Sequence, residues 1–248
     1  MAVNSELAGL KARLASLEEG GVAQVGYSDA SASDCHACCC RDCWCNPCCG
    51  VVYESQLLWL RPHDSEPDSV ESSEFQTASR HTLGYMNSCG RTWRLRYFEF
   101  AHDEFDGDFL HQEMLDLEYA GRFRWGCNWQ GEVMGGLRWA QYEDNDNEYT
   151  DTIGPMAGIE VRNQCSCNTA VYGLVRQSFQ FGTEVTDDEL GTFGVSELQL
   201  GAEYQRCMCG GRGYFRGMIE AQHWSGVEDN DSEDLGLIGF GIAAGITR

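Results

Sequence analysis

The chain has 248 residues, only 17 of them basic against 39 acidic, for a formal charge of −22. That balance excludes a phosphate-backbone-binding role, which needs a basic footprint, and no nucleic-acid partner is expected. The chain has 29 glycines, four prolines and 28 aromatic residues (11 Phe, 10 Tyr, 7 Trp), and its fourteen cysteines point to an oxidising compartment: periplasm, cell surface or outside. No apolar run approaches the ~20 residues of a membrane helix. No secretory leader is visible, which reads as a mature form.

Three regions follow in chain order: 1–20, a heptad helix; 21–50, a linker and cysteine-rich segment; 51–248, a β-domain. Val3, Leu7, Leu10, Leu14 and Leu17 are spaced 4, 3, 4 and 3, a heptad seam. Asn4 or Ser5 caps the helix and Gly20-Gly21 stops it. Two readings stand: an oligomerisation helix, or a helix docked on its own domain. Residues 22–34 are small and polar. Then comes "CHACCCRDCWCNPCCG", with Cys35, Cys38, Cys39, Cys40, Cys43, Cys45, Cys48 and Cys49.

From Val51 onward the hydrophobic period is two. In Glu113–Trp125, Leu115, Leu117, Tyr119, Phe123 and Trp125 share one face, with Asp116, Glu118, Arg122 and Arg124 on the other. The same alternation recurs over Trp129–Tyr142, Ile153–Asn163, Thr169–Phe181, Phe193–Arg206 and Arg212–Trp224. The last strand sets Ile238, Phe240, Ile242, Ala244 and Ile246 against mostly glycine. Val51–Arg61, a weaker Arg80–Asn87 and Thr92–His102 precede these, for ten candidate strands. They run about 11–14 residues, against about 5–6 in a soluble sandwich. Long strands with one greasy face, one face charged in both signs and aromatics near the ends predict an up-and-down antiparallel β-barrel of membrane type. A soluble barrel or sandwich is the rival. The charged face, including Glu118, Arg122, Glu132, Arg138, Glu160, Arg162, Arg176, Glu203, Arg216 and Glu220, is expected to pair across and fill a narrow lumen.

The even-numbered strands are followed by short links holding Cys89, Cys127, Cys165, Cys167, Cys207 and Cys209. In an up-and-down barrel these turns share one rim with the start of the first strand. All fourteen cysteines therefore map to one end, where disulfides within or between subunits are expected. Zinc is the rival: Cys35-x2-Cys38, Cys40-x2-Cys43 and Cys45-x2-Cys48, with His36 adjacent, have ligand-like spacing. The other five links, 62–79, 103–112, 143–152, 182–192 and 225–234, read as long and acidic. In them Asp144, Asp146 and Glu148, and Asp229, Asp231 and Glu233, alternate carboxylates in a pattern that suits calcium or simply a solvated loop; neither has an EF-hand's glycine and closing glutamate. No other cofactor is expected.

The stretches "ESQLLWLRP", "WRLRYFEF", "LDLEYAGRFRW", "GIEVRNQ", "VYGLVRQSFQFG", "VSELQLGAEYQR" and "AQHWSG…DLGLIGFGIAAGI" resemble the Legionella-type pore-forming outer-membrane β-barrel family, numerous in planctomycetes, over about 51–248. The resemblance implies a single envelope barrel with no catalytic residues to carry over. The chain departs from that pattern in ending "GITR", without a terminal aromatic, and in its fourteen cysteines.

These readings converge on a non-enzymatic, self-assembling structural subunit of the envelope or surface, in its sharpest form an extracellular filament. Its partners are copies of itself, outer-membrane lipid, or both. A porin-like passive pore is the alternative. A hydrolase is the third reading: His63, His81, His102, His111 and His223 lie near long links, without a convincing nucleophile constellation.

Overall fold

The computed structural model describes residues 49–63, 74–105, 108–143, 148–184, 190–208, 211–226 and 234–248. The chain divides into two units, Met1–Cys39 and Cys40–Arg248, and every described residue belongs to the second. The expected heptad helix, with Val3, Leu7, Leu10, Leu14 and Leu17, and the run Cys35–Cys48 lie outside the described residues.

Ten strands close into one antiparallel barrel: β1 (Gly50–His63), β2 (Gln76–Met86), β3 (Arg91–Phe105), β4 (Asp108–Trp125), β5 (Trp129–Glu143), β6 (Glu148–Gln164), β7 (Thr169–Glu184), β8 (Leu190–Met208), β9 (Gly211–Ser225) and β10 (Leu235–Thr247). Each strand pairs with its sequence neighbours, and β1 closes on β10 from Val52↔Thr247 to His63↔Gly236. Across that seam the registered partners Trp59 and Phe240 stack at 5.4 Å. No helix among the described residues is long and apolar enough to cross a membrane, which says nothing of a barrel.

All ten strands occur where the period of two places them, but most run further than read. The extension is mainly on the side of the links after odd-numbered strands. The strands consume much of those links, leaving 64–75, 106–107, 144–147, 185–189 and 226–234. Only the first and last remain long. The expected contrast between a short-turn rim and a long-loop rim is therefore weaker than the composition suggested. Backbone pairing is indifferent to side-chain polarity, so acidic residues continue the ladder above the apolar zone. All three register shifts fall on this side, at His102/Phe105, Ala140/Tyr142 and Thr150/Ile153. A 15-residue strand such as β3 spans ~50 Å, and at the usual barrel tilt it rises ~35–40 Å.

Alternation along each strand sorts the side chains cleanly. Every strand contributes large apolar groups to the outside, with exposures such as 58 % at Trp93 and Phe179 and 60 % at Ile219. The opposite face is mostly buried and holds most of the charge. Small inward residues let the wall coil tightly. At Gly136 a Cβ would fall 1.9 Å from the Leu117 carbonyl oxygen, and at Gly154 1.6 Å from that of Phe179. Gly136→Ala is expected to lower the urea midpoint of the micelle-embedded barrel by about 1–3 kcal/mol equivalent, the usual cost of overpacking. An unchanged midpoint would show that the wall relaxes freely there.

Candidate functional site: a plugged lumen and a cysteine rim

The interior has three tiers. Near the rim bearing the odd-strand links, Leu58, Phe98, Phe100, Tyr142, Phe193 and Trp224 are nearly or fully buried and form one apolar cluster. Trp224 stacks on Phe193 at 5.8 Å and leans on Tyr142 at 6.0 Å. The polar exceptions here, Gln112 and Gln180, bury their amides without a hydrogen-bond partner, which costs stability.

The middle tier is ionic. Glu197 on β8 is fully buried and receives Arg96 at 2.5 Å from the opposite wall and Arg138 at 2.5 Å from β5. Arg80 stands 3.6 Å away and Arg176 4.0 Å. Arg96 and Arg138 also hold Asp116, at 2.8 and 2.6 Å. Arg80 makes a two-pronged contact with Glu220, at 2.6 and 2.8 Å, and Gln199 and Gln222 complete that carboxylate. Glu118 takes Arg94 at 2.9 Å and Arg176 at 3.2 Å. The expected cross-lumen pairing is thus present, and it binds β2, β3, β5 and β7 to β8.

The third tier faces the short-turn rim. Glu132 binds Arg94 and Arg122 at 2.5 and 2.7 Å. Glu203 binds Arg162 and Arg216 at 3.0 and 2.7 Å. Glu160 sits 2.9 Å from Arg162, and Glu54 takes Arg216 at 3.3 Å with the Tyr214 hydroxyl donating at 2.7 Å. A cavity of about 80 Å³ opens among these groups.

The rim collects the described cysteines as the topology requires. Cys49 precedes β1, Cys89 lies between β2 and β3, Cys127 between β4 and β5, and Cys165 and Cys167 between β6 and β7. Cys49, Cys89 and Cys165 are free thiols, and Cys167 is likewise a thiol rather than half of a disulfide. The disulfides expected at these four are not formed in the structure. Alternate turns stand two strand spacings apart, roughly 10 Å, beyond the ~7 Å between Cα atoms that a disulfide tolerates. Cys127 is disulfide-bonded. The Cys207 side chain and Cys209 lie outside the described residues, as do the calcium candidates Asp144, Asp146, Asp229, Asp231 and Glu233 and the side chain of Glu148.

Among the described side chains the histidines are not gathered into one site. His223 lies 3.1 Å from Asp234, and Ser196 is its registered cross-strand partner. The Ser196 hydroxyl bonds Gln177 instead, so no nucleophile–base hydrogen bond forms there. Glu99, His111 and Glu113 hold ligand-type atoms within 4.8 Å of one another on the outer face of β3 and β4. Sequence reading missed this group because its members come from two strands.

No family model and no curated protein matches the sequence. Among solved structures, the outer-membrane protease OmpT of Escherichia coli is similar at TM-score 0.35 and 9 % identity, covering 79 % of this chain and 95 % of that one. Outer-membrane phospholipase A of Escherichia coli aligns at TM-score 0.32 and 11 % identity, over 77 % and 91 %. The CymD monoaromatic hydrocarbon channel aligns at TM-score 0.34 and 6 % identity, over 80 % and 88 %. None reaches 0.5, and no role is taken from them.

Proposed function

We propose that the chain is an outer-membrane-type barrel of the Legionella-type pore-forming family. In this reading it serves as a non-enzymatic structural subunit of the envelope or surface that assembles with copies of itself. The observation that carries it is the pairing of an outward apolar face on all ten strands with an interior filled by side chains. Contiguous apolar surface of this extent is not left in water, so lipid or neighbouring subunits cover it. A lumen occupied by ion pairs and aromatics favours a structural role over the alternative, a passive pore. Free thiols at Cys49, Cys89 and Cys165 on one rim are available for bonds between subunits in an oxidising compartment, at the outer membrane or outside it.

A non-reducing, unboiled gel of native material, with and without reductant and beside electron micrographs, tests this. A ladder that collapses on reduction, with fibres in the images, is the expected result. A single monomer band released only by detergent would overturn self-assembly and leave a lone membrane barrel.

A further inference from the structure

Among the described residues the lumen's charges do not balance, and the imbalance sits at one residue. Each of the eight inward carboxylates described above is held by arginines, and eight arginines are used in doing so. Arg212, inward-facing in the second position of β9, is a ninth. It makes no ion pair or hydrogen bond among the described residues, and its Nε is buried without a partner. Its strongest electrostatic neighbours are Arg162 and Arg122, both cations. Arg124, by contrast, stands exposed on the β4–β5 hairpin, where solvent hydrates its charge.

Arg212 lines the 80 Å³ cavity together with Arg122, Arg162 and Arg216. That space exceeds what one water requires. The carboxylates bordering it, Glu54, Glu132 and Glu160, already have guanidinium partners. A half-buried cation with a buried Nε, facing two other cations, is costly unless a counter-charge joins it. Guanidinium forks favour planar or tetrahedral oxygen anions, which accept two parallel N–H bonds, over spherical halides. We propose that this cavity is a binding site for one small dissolved oxyanion of the phosphate class, with Arg212 as its anchor. The barrel wall separates it from the bilayer, so the ligand comes from the aqueous side of the short-turn rim.

The test is calorimetric titration of the refolded full chain with inorganic phosphate, in a phosphorus-free detergent at low chloride. The expected result is one saturable site per chain that weakens as salt rises. Arg212→Gln should weaken it at least tenfold, while Arg124→Gln leaves it unchanged. Absence of saturable heat in the parent, or equal binding by Arg212→Gln, overturns the proposal. If Arg212→Gln does not refold, melting of the parent in phosphate against chloride at matched ionic strength decides. A rise in melting temperature supports the site, and no shift sinks it.

Discussion

Removing the Glu197 carboxylate is expected to cost the barrel more than any other single change in its charged interior. Four guanidiniums from four strands point at this one group, two of them at 2.5 Å. Glu197→Ala leaves Arg96 and Arg138 sharing Asp116 alone in a buried interior. Breaking a buried pair from one side costs roughly 3–5 kcal/mol, most of it the penalty of stranded charge. Urea unfolding in micelles reads this directly. The double variant Glu197→Met with Arg96→Met should recover part of the loss, because it removes a charge from each side. A parent-like midpoint in Glu197→Ala would mean that water reaches the network and screens it.

The second large effect concerns conduction. The apolar tier and the ionic tiers lie in series along the lumen. In a planar lipid bilayer the parent chain is therefore expected to show no steady unit current. Trp224→Ala should lose about 3–5 kcal/mol of stability, the usual cost of deleting a large buried aromatic, yet stay silent because the arginine–carboxylate layer still spans the barrel. Regular current steps from the parent protein would return the passive-pore reading to first place.

Much of this was legible from the period of two. Leu115, Leu117 and Tyr119 against Asp116 and Glu118 already state which face is wet and which is greasy. The count of short links already places Cys49, Cys89, Cys127, Cys165 and Cys167 on one rim. The apolar plug was not legible. Phe98, Phe100, Tyr142, Phe193 and Trp224 sit on the face that is charged elsewhere along the same strands. An aromatic at a strand end fits an outer girdle equally well, and only the register around the closed barrel shows five of them meeting. Arg212 was invisible for a related reason. Its lack of a partner among the described residues is a property of the whole network, fixed by which carboxylates the other arginines have taken. Loop lengths were overestimated because acidity marks solvent contact and not the end of a ladder.

The seam between β1 and β10 joins the two ends of the described chain, whereas every other ladder joins strands adjacent in sequence. Hairpins such as β4–β5 close a loop of three residues; the seam closes a loop of nearly the whole domain, and its entropy must be met before its bonds reward it. Closure is thus the natural last step. Until it happens, β1 and β10 present two unpaired edges, one carrying Ile238, Phe240 and Ile242, and open edges are templates for other chains. At high concentration the β10 edge of one molecule meets the β1 edge of another before it meets its own. Refolding yield should then fall with protein concentration, and the aggregates should be strand-exchanged chains rather than amorphous matter. Closing the barrel and joining it to a neighbour are, for this chain, two outcomes of one competition for the same pair of edges.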